Sequence, residues 1–318
     1  MAGSVPLREV DRVEILTLAD NYIDLTAMDS NQVITRALPI RDMEVKTSIL
    51  AEHGFSALVR TVVGDESRAV IFDFGFSETV VPYNIAKLQP DLSEVEAAVL
   101  SHGHSDHFGS LEEVISSLPR KPVPLYLHPG AFLPHRYLKV GEIRIAFPHP
   151  DRSAWEKAGA RITENTRPCP LAGDTILFLG EIERTTDFEK GMPNTYYLEE
   201  GEERRDPIIE DTGIAVHLRG KGLVILSGCA HAGIVNTVRH AVKTSGVDKV
   251  HVVMGGFHLT GPAFEPIIGK TIEELECMEP DYVVPTHCTG RKAVAEMENA
   301  FGPRFILNMP GTRLAFQA

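Results

Sequence analysis

The run SHGHSDHFGSL at residues 101–111 places His102, His104, Asp106 and His107 within six residues, directly behind the apolar run VEAAVL at 95–100. Residues two apart in extended chain point the same way, so His102 and His104 can reach one cation. Asp106 and His107 follow where the chain turns into a helix expected to begin near Ser110, and they can face a second cation beside the first. Neutral imidazole and carboxylate are the donor set that suits Zn²⁺ and similar transition ions. The plainer alternative is a histidine-rich turn in which Asp106 merely caps the helix. Four such donors behind an apolar strand favour the metal, because burying that many polar groups unsatisfied is costly.

Three further strand ends carry residues of the same kind. LVILSGCAHAG (223–233) leads into Cys229 and His231, VVMGGFHL (252–259) into His258, and DYVVPTHCTG (281–290) into His287 and Cys288. Taken singly, a histidine after an apolar strand is more often a satisfied structural residue. Four strand ends of this type in one chain point to a shared site, since layered α/β proteins gather their sites at strand C-terminal ends.

Short β-rich runs bounded by turn residues predict the strands that must carry these ends, at 13–18, 55–63, 69–72, 97–100, 123–127, 143–146, 175–178, 214–218, 223–226, 249–254 and 282–284. The sequence RGKG between 218 and 223 predicts a hairpin. Helical patterns lie at 78–87, 110–117, 233–244, 271–278 and 292–301. This order implies an α/β or layered α+β protein in a single domain spanning 1–318. Residues 129–210, rich in Pro, Gly and charge, are expected to form a loop-rich insertion covering the site.

Composition narrows the function classes. Of 318 residues, 43% are hydrophobic and 24% charged, as in ordinary globular proteins. The excess of 44 Asp+Glu over 31 Lys+Arg gives a net charge of −13, which disfavours nucleic acid or an anionic membrane as partner. A local basic pocket for a small anionic substrate is compatible with it. No apolar run approaches ~18 residues, and the N-terminus lacks a basic region followed by an apolar one. The four cysteines lack CxxC spacing, so reduced thiols in a cytoplasmic protein are the expectation. No nucleotide-binding glycine loop is present.

These motifs resemble the metallo-β-lactamase superfamily, in which SHGHSDH is similar to the metal-binding signature, FDFG (72–75) to the strand and turn before it, and PTHC to the last histidine motif. AEHGFSALV, LYLHPGAF, FLGEIERTTDFEKGMP, LVILSGCAHAGIVNTVRHA and GGFHL extend the resemblance to the dihydropterin–ribofuranosylaminobenzene phosphate synthase-like branch. The resemblance implies an αββα sandwich with a two-metal site between the sheets. It implies His102 and His104 as first-metal ligands, and Asp106, His107 and His287 at the second metal. Cys229 stands where the superfamily usually has a bridging aspartate. The stretch DPIIEDTGIAV (206–216), where a third first-metal histidine normally falls, contains none, and His231 could supply the missing nitrogen.

Other residues carry weaker expectations. His53 and His258 have no superfamily ligand role; they are read either as structural hydrogen bonders or, with Asp106, as catalytic groups that contact substrate or move a proton. Arg184 and Lys190 could meet a substrate phosphate, although both could equally be solvated. Asn21 reads as a loop residue, and Cys277 and Cys288 as small packing residues.

The cofactor expected is a pair of divalent transition metal ions, zinc first, with manganese or iron as alternatives. Two cations about 3.5–4 Å apart can hold a shared hydroxide and polarise a substrate oxygen, which suits hydrolysis of an ester, thioester, lactone or phosphoester. The branch resemblance implies instead a transferase. Its metals would stabilise a departing diphosphate as a dihydropterin-methyl group joins ribofuranosylaminobenzene phosphate. A metal or ligand sensor without turnover is a third reading.

Overall fold

The structure, a computed structural model, describes residues 4–38, 40–41, 44–45 and 48–318. Near-continuous burial along the long apolar strands decides the architecture, because each of them buries both of its faces. Along Arg12–Ala19, Val13 and Ile15 enter one core while Leu16 and Leu18 enter another. Val224 and Leu226 of Gly222–Ser227 join the first core, whereas Leu223 and Ile225 join a third. A strand apolar on both sides must be covered on both sides.

Two sheets satisfy that demand. The larger runs, in spatial order, through Ala160–Glu164, Val123–Leu127, Val95–Val99, Glu66–Phe72, Ser56–Val63, Arg12–Ala19, Arg313–Gln317 and Ile34–Thr35. The second runs through Cys169–Leu171, Ile176–Phe178, Gly213–Leu218, Gly222–Ser227, Val250–Gly256 and Tyr282–Thr286. Phe55, Phe72 and Val99 from the first sheet meet Phe178, Val252 and Met254 from the second in the core between them. The outer face of the first sheet is covered by the helices Val80–Leu88, Leu111–Ser117 and Arg152–Ala158, through Val81, Leu111, Ile115 and Trp155. The helices Ile234–Ser245, Ile268–Cys277 and Arg291–Phe301 cover the second sheet through Val235, Val238, Leu275 and Met297. The result is the αββα sandwich expected from the sequence. Each large apolar side chain buried in these layers contributes about 1.5–3 kcal/mol.

Strand direction then gathers the site. Glu66–Phe72, Val95–Val99 and Val123–Leu127 are mutually parallel, as are Gly222–Ser227, Val250–Gly256 and Tyr282–Thr286. Their C-terminal ends therefore emerge at one edge of each sheet. The predicted hairpin is present, pairing Leu218 with Gly222.

Residues 129–210 hold more regular structure than their composition suggests. Ile143–Ala146, Tyr137–Val140, Thr195–Glu199 and Glu202–Arg205 form a separate four-stranded sheet, and Ala160–Glu164 extends the larger sheet by a parallel strand. Of these elements the strand at 143–146 was expected, while the helix Arg152–Ala158 was not; Asp151 caps it by accepting from the Ala154 N–H at 3.0 Å. Charged strand surfaces such as EERR at 202–205, all exposed, hide the alternation that betrays a strand.

Candidate metal centre

Six strand ends supply the centre. After Val95–Val99 come Ser101 to His107, and after Gly222–Ser227 come Cys229 and His231. His258 follows Val250–Gly256, His287 and Cys288 follow Tyr282–Thr286, Asp73 follows Glu66–Phe72, and Asp20 and Asn21 follow Arg12–Ala19. Asp73, Ala230, His258 and His287 all have positive φ, between 46 and 57°. Non-glycine residues held there are strained, and the strain persists only where surrounding contacts over-determine it.

Three imidazoles meet at one point. His102 Nε2 lies 3.1 Å from His104 Nδ1 and 3.2 Å from His231 Nε2, with all three rings buried. The proton on His102 is assigned by its other nitrogen. Ser101 Oγ donates to Asp73 Oδ2 at 2.7 Å, so it accepts from His102 Nδ1 at 2.9 Å and leaves Nε2 bare. Burial, then the neighbouring imidazoles, holds His102 far below its ordinary pKa. Burial and the Arg136 guanidinium take His104 to about 3, and burial and His258 likewise depress His231. The bare His102 Nε2 is the point on which the other two neutral rings converge, and neutral imidazole is the form that binds metal. The donor set fits the ion the sequence reading expects.

A second group adjoins the first. Asp106, His107, Cys229 and His287 offer donor atoms within 4.8 Å of one another. His287 Nε2 is 3.1 Å from Asp106 Oδ2, and His107 Nε2 is 3.1 Å from Cys229 Sγ. Burial opposes the charge on Asp106, yet His107 and His287 hold its carboxyl below the ordinary range. Burial works against protonation of His107 too, but Asp73 and Asp106 raise it to about 9. Cys229 also belongs to the group with His102 and His231, so one sulfur touches both clusters. Burial, then the Cys288 thiol, raises the pKa of Cys229 far above the ordinary value.

The supporting residues were the ones the sequence did not single out. Asp73 Oδ1 accepts the Ser101 N–H at 2.7 Å, so one carboxylate anchors the start of the histidine run. Asn21, expected to be an ordinary loop residue, accepts from His287 Nδ1 at 3.1 Å and donates to the His287 carbonyl and to His53 Nδ1, both at 3.0 Å. Arg136 is buried and ion-paired with the equally buried Asp206 at 2.8 Å and with Glu210. It sits behind Gly103, where a Cβ would fall 2.6 Å from its Nη1 and 2.3 Å from the Ala131 carbonyl oxygen. Only glycine fits between the two histidines. The visible signals were the aspartate of FDFG and the serine of SHGH; a hydrogen bond from Asn21 across 266 residues left no local trace.

The remaining candidates fall around the rim. His258 packs 4.5 Å from His231 and groups with Cys229 and Cys288. His53 is 65% exposed, with Nε2 3.8 Å from Asp106 Oδ2. Arg184 is exposed, and its Nη2 donates to the carbonyls of Pro207 and Ile208 at 2.6 and 3.2 Å. Lys190 is exposed beside His231 and His258, lining the same cavity. Cys288 is a buried thiol, while Cys277, expected to be a packing residue, is exposed. Phe147 from the 129–210 segment packs against His104, with ring centroids 4.9 Å apart and the planes tilted by 45°. Among the described residues, no helix is long and apolar enough to cross a membrane.

Comparison with known proteins agrees with this geometry. The chain is 29% identical over 305 residues, 93% of each sequence, to a protein of Methanocaldococcus jannaschii named 7,8-dihydropterin-6-methyl-4-(β-D-ribofuranosyl)-aminobenzene-5'-phosphate synthase. A second, uncharacterised protein of that organism is 28% identical over 253 residues, covering 78% of this chain and 88% of its own. The crystal structure of a metal-dependent hydrolase of the β-lactamase superfamily superposes with a TM-score of 0.72 at 24% identity, over 96% of this chain and all of the other. A sequence model described as the metallo-β-lactamase superfamily matches residues 53–256, and the chain belongs to that superfamily.

Proposed function

We propose that this protein is a metal-dependent transferase that joins a dihydropterin-methyl group, released from its diphosphate, to ribofuranosylaminobenzene phosphate. The observation that carries the metal part is the approach of two buried imidazole nitrogens, from His104 and His231, to within 3.1–3.2 Å of His102 Nε2. His102, His104 and His231 would hold one divalent ion, and Asp106, His107, Cys229 and His287 a second, with zinc preferred over manganese or iron for this nitrogen and sulfur set. The substrate part is supported by the similarity to the archaeal synthase along 93% of both chains.

When bound, the ions would supply positive charge where the diphosphate leaves. The protein's own groups do the rest. Asp73, through Ser101, orients His102 and directly orients His107; Asn21 orients His287. The amino nitrogen is the acceptor's strongest nucleophile, so it attacks the methylene carbon as the carbon–oxygen bond to diphosphate breaks. The nitrogen then sheds one proton. His258, with a buried Nδ1 that has no hydrogen-bond partner, is assigned to take it. His53, held by Asn21 above Asp106, is assigned to contact the diphosphate side, with Arg184 and Lys190 as counter-charges for phosphate.

The test is to incubate metal-loaded protein with both substrates and follow the coupled product and pyrophosphate by mass spectrometry. Product formation that disappears on chelation is the expected result. Efficient turnover of a lactone, thioester or phosphoester, with no affinity for pyrophosphate, would replace the transferase by a hydrolase.

A further inference from the structure

Where the strands Arg12–Ala19 and Tyr282–Thr286 end beside the helix Arg291–Phe301, the chain leaves an open groove of about 480 Å³. Its apolar walls are Tyr22, Pro285, Val294, Ala295 and Leu307. The helix shapes one side of it. Ala293, Met297 and Phe301 are buried in the core under the second sheet, while Arg291, Val294, Ala295 and Glu298 line the groove with the three- and four-residue spacing of a single helical face. Tyr22 is 47% exposed, so a flat ligand can lie against its ring.

The two ends of that helical face carry opposite charge. Arg291 and Glu298 are both exposed, and among the described residues neither side chain has an ion-pair or hydrogen-bond partner. They stand about 10 Å apart along the helix axis, with apolar Val294 and Ala295 between them. Arg291 begins the helix, four residues after His287, where the free N–H groups of the first turn add to its positive charge. His287 also lines the groove, and its Nε2 lies 3.1 Å from Asp106 Oδ2 in the second donor group. An anionic group at Arg291 is thus at the metal end of the groove, and Glu298 is at the far end.

The carboxylate limits which ring fits. Glu298 accepts and does not donate, so it selects an edge with two adjacent N–H donors, one for each oxygen. The 2-amino-4-oxopyrimidine edge of a pterin has that pair. The aminobenzene ring of the acceptor has only its amino group, which is the nucleophile. Resting on the transferase reading, we propose that this groove seats the bicyclic donor, with its N–H edge on Glu298 and its methyl diphosphate running past Arg291 toward His287. Arg291 and Ala295 are exposed, so the methylene carbon remains open to the acceptor's amino nitrogen.

Fluorescence titrations of metal-loaded protein with 6-methylpterin and 6-methyllumazine, which has a carbonyl in place of the 2-amino group, test the assignment, together with calorimetric titration of pyrophosphate. The wild type should prefer 6-methylpterin at least fivefold, and Glu298→Gln should abolish that preference by weakening 6-methylpterin alone. Ala295→Trp, which fills the groove, should weaken both heterocycles at least tenfold and leave pyrophosphate within twofold; should that variant fail to fold, Glu298→Gln decides. Absence of 6-methylpterin binding, no preference over 6-methyllumazine, or affinities unchanged in both variants overturns the proposal. If 6-methylpterin binds in this variant-sensitive way but pyrophosphate never binds and no coupled product forms, the groove assignment stands and the transferase reading falls. Coupled product with heterocycle binding indifferent to both variants keeps the transferase and removes the groove.

Discussion

Asp73 Oδ2 lies 2.7 Å from His107 Nδ1, and neither side chain is reached by solvent. The carboxylate holds a proton of His107 on Nδ1, so Nε2, turned toward Cys229 and Asp106, is the nitrogen left to bind metal. The same carboxylate acts on His102 through Ser101. Partners of this kind hold metal-binding histidines in one tautomer and one orientation. Asp73→Asn, nearly isosteric, should therefore lower metal affinity by about 10–100-fold. Competition against a chelator measures it, and wild-type affinity in the variant would remove Asp73 from this role.

The two donor groups share Cys229 and Asp106 while their other histidines are distinct, so they should empty separately. Wild-type protein should carry about two equivalents of metal, and His231→Ala and His287→Ala about one each, with the survivor at opposite sites. Elemental analysis gives the stoichiometry. Loss of both ions from either single variant would show one cooperative site.

Alkylation will not reveal whether Cys229 is a ligand, because the thiol is only 2% exposed and burial suppresses its thiolate. Spectroscopy will. Cobalt-substituted protein should show a thiolate-to-metal charge-transfer band in the near ultraviolet that vanishes in Cys229→Ser. Cys229→Asp should lose the band and keep its metal, since a carboxylate oxygen is also a competent donor. An unchanged spectrum in Cys229→Ser would make the residue a packing thiol.

Glu189 carries a pH signature away from the metal groups. Burial raises its carboxyl to about 7 against the pull of the Val235 and Asn236 N–H groups. Between the ordinary value of 4.5 and about 7 the native state binds more protons than the unfolded chain, so stability falls as pH rises through that window. The loss should be on the order of 2 kcal/mol between pH 5 and 7.5. Glu189→Gln should flatten that slope, at a cost of about 1 kcal/mol at pH 5 for the helix-capping acceptor it gives up. Urea denaturation at the two pH values checks both; an identical slope in the variant would assign the pH dependence elsewhere.

The strands and the first-rank donors were legible in the chain. Near-continuous apolar runs such as LVIL at 223–226 announce strands covered on two faces, which fits a layered α/β protein, while the αββα order came with the family resemblance. His102, His104, Asp106 and His107 were legible because their spacing is local: two-residue and turn geometry decide where each side chain points. That His231 reaches the same point as His102, 129 residues earlier, was only one option among several in the sequence, and the meeting of two sheets decides it. Asp73, Asn21 and Arg136 were illegible for the same physical reason. Their partners lie 34, 266 and 74 residues away, and a hydrogen bond across such a distance exists only once the tertiary fold brings the two segments together. Within 129–210 the apolar runs at 143–146 and 175–178 were legible, whereas Glu202–Arg205 stayed hidden because it is exposed and charged throughout, so no core imprinted an alternation on it.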